Sequence, residues 1–194
     1  MDQISKKIKM ISEKLKELKN KFFHHEIDGY VVPKNDEYFS EFAKKDKLKT
    51  ITGFDGSFGL AIILKKKNFL FVDGRYTEQA KIQAGKEFEI LEIPKKLPYQ
   101  ILNSRLNLGF DPAVFTSRNL LYYFRNKVKL TPITKTIINS NISNNHTSKF
   151  YSLNPKVVGE TVDSKIKRLI QILKKDRSDH IFISAPENVA WLLN

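Results

Sequence analysis

Phe58-Gly59-Leu60-Ala61-Ile62-Ile63-Leu64, then Lys65-Lys66-Lys67-Asn68, then Phe69-Leu70-Phe71-Val72, then Asp73-Gly74-Arg75-Tyr76 is the stretch from which the fold is read. Two apolar runs too short for helices and joined by a short polar turn predict a β-hairpin buried on both faces, with three lysines keeping the turn in water. Upstream, Ile4, Ile8, Ile11, Leu15, Leu18 and Phe22 recur at spacings of three and four with lysines between them, the pattern of an amphipathic helix of about five turns. Asp28-Gly29 breaks that pattern, and Tyr30-Val31-Val32 ending at Pro33 reads as a short buried strand. Residues 36–50 are mixed and read as a short helix and loop.

Downstream of the hairpin a helical segment runs to about Gly85. Phe88–Ile93 and Asn107–Phe110 read as strands with Leu97–Leu106 helical between them. Ser117–Asn126 is a helix with Ser117 placed to cap it and Leu120, Leu121 and Phe124 facing a core, and Val128–Leu130 is a last short strand. Strands separated by helices define an α/β domain, and the hairpin makes its sheet mixed.

Thr136–Pro155 is rich in Asn and Ser and lacks apolar periodicity, which marks a linker between a first domain over residues 1–135 and a segment over 156–194. Asn141-Ile142-Ser143 and Asn145-His146-Thr147 inside it match the glycosylation sequon, and with no secretion signal at the N-terminus they read as chance matches. Beyond the linker the first pattern recurs. At an offset of 151, Ile166 falls on Leu15, Leu169 on Leu18, Leu173 on Phe22, Asp179 on Asp28 and Ile181 on Tyr30. The chain therefore holds the start of a second copy of the domain, cut short at Trp191-Leu192-Leu193-Asn194.

The 194 residues carry 34 Lys and Arg against 21 Asp and Glu, a formal charge of +13, and no cysteine. Disulfides, a thiolate nucleophile and cysteine-held metals are excluded. No run approaches the ~18 apolar residues of a membrane span, so a cytoplasmic protein with no membrane partner is expected. Of the basic residues 28 are Lys and 6 are Arg, spread along the chain. Phosphate-reading surfaces concentrate arginine on one face, so the excess reads as solvated surface and no nucleic-acid partner is expected.

Motifs for common chemistries are missing. Gly53-Phe54-Asp55-Gly56-Ser57-Phe58-Gly59 is glycine-rich but leads into a strand, so it cannot offer a helix N-terminus to a phosphate. Ser57 resembles a nucleophile elbow, but Asp55 stands where glycine is required. His24-His25-Glu26 lacks metalloprotease spacing and sits at a helix end, where cationic side chains are favoured. His146 and His180 have no acidic neighbours at ligand spacing. Asp73-Gly74-Arg75-Tyr76 reads as a strand-to-helix turn in which Asp73 caps, Gly74 relaxes the backbone and Tyr76 packs; Arg75 can also project as a fork for a carboxylate or peptide carbonyl.

Several of these segments stand together in one order. Asp28-Gly29-Tyr30-Val31-Val32-Pro33, then Asp36 and Ser40-Glu41-Phe42, then Ile51-Thr52-Gly53-Phe54-Asp55-Gly56-Ser57, then Asp73-Gly74-Arg75-Tyr76 with Gln79-Ala80, resemble the N-terminal domain of Xaa-Pro aminopeptidases of the three-domain creatinase/prolidase-like type. Gly159-Glu160 and Ala190-Trp191-Leu192-Leu193-Asn194 resemble the opening of that family's second domain. The resemblance implies a ribonuclease-H-like α/β fold in both parts, a role in dimer formation and a share in shaping the substrate entrance. It implies that Arg75 contacts a bound peptide, with Asp73, Gly74, Tyr76, Gly53, Phe54, Gly56 and Ser57 as the structural motif around it. Family chemistry resides in a C-terminal domain where two Asp, one His and two Glu hold two divalent metal ions, usually manganese. That domain is absent from this sequence, so neither catalytic residues nor a metal site are expected here. The runner-up function is a free-standing dimerisation or protein-interaction module derived from that family, without peptidase activity. Tyr38 stands where the family often has histidine, which puts peptide handling at that position in question.

Overall fold

The computed structural model describes residues 3–40, 46–134, 137–138, 149 and 151–194. It divides into two units, Met1–Asn141 and Ile142–Asn194. In the first, a six-stranded mixed sheet has helices on both faces. Its strands are β1 (Gly29–Pro33), β2 (Gly59–Leu64), β3 (Asn68–Asp73), β4 (Glu89–Ile93), β5 (Asn107–Phe110) and β6 (Lys129–Pro132), in the order β4-β3-β2-β1-β5-β6. The expected hairpin is β2 and β3, antiparallel with Leu60 opposite Phe71 and Ile62 opposite Phe69. β1 pairs antiparallel with β2 and parallel with β5, while β3–β4 and β5–β6 are parallel, which makes the sheet mixed.

The twofold alternation of side chains along each strand divides the core. On one face Tyr30, Val32, Ala61, Ile63, Leu70 and Val72 meet Ile11, Leu15 and Leu18 of α1 (Gln3–Asn20) and Phe22 just after it. Removing each of those α1 side chains from water contributes roughly 1.5–3 kcal/mol, enough to fix the helix on the sheet. Helices α2 (Lys47–Thr52) and α3 (Thr77–Ala84) cover the same face through Leu48, Ile51, Ala80 and Ala84. On the other face Val31, Leu60, Ile62, Phe71 and Leu108 meet Leu102, Val114, Phe115 and Phe124. The last of these belongs to α5 (Ser117–Phe124), which follows the four-residue α4 (Pro98–Ile101).

Three local readings change. The helix expected over Leu97–Leu106 is confined to α4, because Leu102 turns extended and the Asn103 carboxamide and carbonyl accept from the amides of Arg105 and Leu106, diverting the chain. The cap of α5 is Thr116, one residue before Ser117: its hydroxyl accepts from the Asn119 amide, and the Asn119 side chain answers in a reciprocal box. Ile137 and Ile138, inside the stretch read as linker, are buried, and the Lys21 ammonium donates to the Ile137 carbonyl. Residues 41–45 and most of 139–150, with Glu41, Phe42, both sequons and His146, lie outside the described residues.

The second unit holds α6 (Pro155–Val158), α7 (Val162–Lys175) and α8 (Pro186–Leu193). Thr161 caps α7, with Asp163 in its first turn and Lys174 and Lys175 in its last. Ile181-Phe182-Ile183 carries no regular secondary structure and belongs to no sheet among the described residues, and Phe182 is 91% exposed. The buried side chain of α7 is a cation: Lys165 donates to the Trp191 carbonyl and the Asn194 side chain and lies 4.5 Å from the indole centroid. It thereby closes the C-terminal end of α8. No described helix of either unit is long and apolar enough to cross a membrane.

Candidate functional site

The two motif segments meet at the ends of β2 and β3. Gly53 terminates α2 in the left-handed region (φ 77°), its amide bonding to the Lys49 carbonyl, and this turn drops Phe54 into the core, where it is fully buried. Tyr76 packs edge-on against Phe54 with ring centroids 6.0 Å apart, and its hydroxyl is 2.8 Å from the Ser57 hydroxyl. Ser57 is thus a brace for Tyr76. Asp55 ties the same loop to α3: its carboxylate accepts from the Gln79 and Gln83 amides at 2.8 Å each, and its own amide donates to Gln83. The Gln83 bond, above the other contacts, holds the Asp55 carboxyl below its ordinary range.

Asp73 ends β3 and caps a single 3-10 turn, Gly74–Tyr76. One carboxylate oxygen accepts from both the Arg75 amide and Arg75 Nε at 2.9 Å, so the same group makes the turn and sets the direction of the guanidinium. These bonds, the side-chain one foremost, hold the Asp73 carboxyl below its ordinary range. The Arg75 guanidinium lies 5.4 Å from the Tyr76 ring centroid, so the chain of contacts Phe54, Tyr76, Arg75 runs from core to surface.

Arg75 and Ser57 border one cleft of about 390 Å³. Pro33, Leu60, Val114 and Phe115 give it an apolar lining, and Lys34, Asn35, Asn119 and Tyr123 add polar groups. The lining holds two cations and no carboxylate. Lys34 is paired with Asp46, the cap of α2, and Lys47 with Asp111 at 2.7 Å, so both ends of the 34–47 segment are anchored. The Asn35 carboxamide donates to the Val114 carbonyl at 3.0 Å and bridges two walls. Burial, with Tyr122 second, pushes the Tyr123 hydroxyl above its ordinary range.

The site that was read from sequence therefore assembles only in part from the expected residues. Gly53, Phe54, Gly56, Ser57, Asp73, Gly74, Arg75 and Tyr76 form one network, with Arg75 and Ser57 at the cleft and the others behind it. Lys34, Asn35, Phe39, Asn119 and Tyr123 were not expected there; the Asp36 turn holds Phe39 and the Thr116–Asn119 box holds Asn119. Tyr38 is half exposed and not part of the cleft lining, its amide donating to the Asp36 carboxylate. Among the described residues no group of three or more His, Asp or Glu side chains could hold a metal ion, so a metal pair does not fit the residues present.

The description "Creatinase/Prolidase N-terminal domain" matches residues 14–139, and a second version of it matches residues 142–194. The chain is 30% identical over 200 residues to "Probable Xaa-Pro aminopeptidase P" of Laccaria bicolor, covering 94% of this chain and 31% of that protein. It is 30% identical over 203 residues to Aminopeptidase P1 of Arabidopsis thaliana, covering 95% and 31%. The chain thus spans about a third of the length of these relatives. Among solved structures, the X-prolyl aminopeptidase of Caenorhabditis elegans, described as a cytosolic enzyme with a di-nuclear active site, superposes with a TM-score of 0.74 at 21% identity, covering 94% of this chain and 34% of that one. The N-terminal domain of the cytoplasmic peptidase PepQ from Mycobacterium tuberculosis superposes with a TM-score of 0.51 at 20% identity, covering 64% and 95%.

Proposed function

Because the chain belongs to the creatinase/prolidase N-terminal domain family, we propose that it is the non-catalytic N-terminal portion of a metal-dependent Xaa-Pro aminopeptidase, where it shapes the substrate entrance. The parent reaction is release of an N-terminal residue that precedes proline. A pair of divalent ions, manganese by family resemblance, would supply Lewis-acid activation of water for that reaction. The described residues of this chain do not fit such a pair, and the part proposed for them is to bind and orient. The observation that carries the reading is the convergence of the glycine-rich loop and the Asp73–Tyr76 turn on one cleft with Arg75 at its edge. Asp73 orients the Arg75 fork toward a planar acceptor, a peptide carbonyl or carboxylate, while the apolar lining takes side chains.

The test is kinetic. In the polypeptide encoded by the complete reading frame, Arg75→Ala lowers kcat/KM for Xaa-Pro peptides without changing the melting temperature; unchanged kinetics leave Arg75 a turn residue only. Cytoplasmic location and homodimerisation belong to the same proposal. The exposed apolar side chains Ile172, Ile181 and Phe182 favour a second reading, a free-standing dimerisation module. Light scattering separates it, since a strictly monomeric chain rules it out.

A further inference from the structure

Phe39 is held in an unfavourable backbone state beside the cleft. Its φ is 60°, in the left-handed region that a bulky side chain avoids. The turn that holds it is built on Asp36: one carboxylate oxygen accepts from the amides of Tyr38 and Ser40 at 3.0 Å each, and the Phe39 amide donates to the Asp36 carbonyl at 3.0 Å. Asn35 anchors that turn to the far wall through the Val114 carbonyl. The ring so placed is 47% exposed and lines the cleft. Glycine or asparagine would adopt this backbone at less cost, and a half-exposed phenyl ring returns little to folding. Strain held at a cleft by surrounding bonds is the signature of a functional constraint.

The cleft that Phe39 lines is also lined by Phe115, Leu60 and Val114, and Phe115 is itself fixed edge-on against Phe110 with centroids 5.9 Å apart. A ligand side chain in this cleft would have the Phe39 and Phe115 rings among the surfaces open to it. About 390 Å³ is at the small end for ligand sites and suits a short peptide. We infer that Phe39 is a specificity-determining residue through which this cleft selects short peptides bearing an aromatic or large apolar side chain. The inference deepens the peptide-entrance reading and rests on it.

The test is equilibrium binding to the full 194-residue chain by calorimetry, with Gly-Pro-Phe and Gly-Pro-Gly as probes. Gly-Pro-Phe binds about fivefold to tenfold more tightly, the worth of one aromatic contact. In Phe39→Ala the ratio of the two affinities falls to about one, and in Phe39→Trp it stays at or above the wild-type ratio. Phe39→Gly loses the preference but melts no lower than wild type, because the left-handed strain is relieved. A ratio unchanged in Phe39→Ala overturns the inference while leaving the peptide reading intact. A marked drop in the melting temperature of Phe39→Gly also overturns it, since the ring would then serve the fold. Absence of binding by both peptides at millimolar concentration, together with no effect of Arg75→Ala on turnover in the longer polypeptide, removes the reading as well.

Discussion

Gly29→Ala and Gly74→Ala are the same chemical change at two motif glycines, and the structure assigns them very different costs. Gly29 opens β1 and is paired with Leu64 of β2 on one side and Leu108 of β5 on the other. A Cβ there would lie 2.6 Å from the Ile63 backbone carbonyl oxygen and 2.5 Å from Leu64 Cδ2, with Leu108 Cδ2 at 3.1 Å on the other side. Ordinary contact begins near 3.4 Å, so one strand must retreat by most of an ångström, and β1 has neighbours on both edges. Overpacking of this kind costs about 1–3 kcal/mol, and each backbone hydrogen bond lost at the strand entry adds about 1 kcal/mol, so the expected loss is about 3 kcal/mol.

At Gly74 the added carbon meets only the Glu92 carboxylate, 2.8 Å away at the end of a flexible side chain that is bonded to Lys95 at the surface. Gly74→Ala therefore stays within about 0.5 kcal/mol of wild type, because reduced freedom of the unfolded chain offsets the displacement of Glu92. The assay is urea unfolding followed by far-UV circular dichroism. The one tryptophan, Trp191, lies in the second unit and its fluorescence would not report the sheet. With a urea m-value of about 2 kcal/mol/M, Gly29→Ala lowers the midpoint by about 1.5 M and Gly74→Ala leaves it in place. Equal midpoints for the two variants would refute the reasoning from close approach.

Phe54→Ala should cost about 3–5 kcal/mol, as truncation of a fully buried aromatic does, and should also lower the apparent affinity for peptides by unseating Tyr76; differential scanning calorimetry and peptide titration check both. Ser57→Ala should cost about 1 kcal/mol, the bond to the Tyr76 hydroxyl, which thermal melting would register. The Asp28 carboxyl is held below its ordinary range, chiefly by the Asn107 amide and then by Lys65, and Asp55 is lowered likewise by Gln83. A depressed folded pKa contributes stability that is complete above the unfolded value of about 4 and is lost as pH falls through the folded one, so the urea midpoint should hold from pH 7 to 5 and decline below 4. The gap between wild type and Asp28→Asn should narrow over that decline, and a constant gap would contradict the assignment.

What the sequence discloses is what short-range periodicity carries. The hairpin over 58–72, the α1 stripe ending at Phe22 and the mixed sheet follow from alternation and spacing, and the structure holds all three, while the helix read over Leu97–Leu106 shrinks to α4. The Phe54–Tyr76 contact was foreshadowed only as two motifs, because their meeting depends on β2 and β3 being neighbours. The rest of the cleft comes from the end of β1 and the turn after it, from the segment before α5 and from α5 itself, elements that lie far apart in sequence. Lys34, Asn35, Phe39, Asn119 and Tyr123 carry no mutual spacing, so no window of sequence contains them. Lys165 shows the opposite failure: its position predicts a solvated face, but bonds to the end of α8 and the Trp191 ring bury it.

The central claim is tested most directly by following, with and without added manganese, the hydrolysis of an Xaa-Pro peptide and its Xaa-Ala counterpart by the purified 194-residue chain and by the polypeptide of the complete reading frame. No hydrolysis by the 194-residue chain is expected, and metal-dependent cleavage confined to the proline peptide is expected of the longer polypeptide. Metal-dependent cleavage by the 194-residue chain alone, or failure of the longer polypeptide to cleave the proline peptide, would contradict the claim.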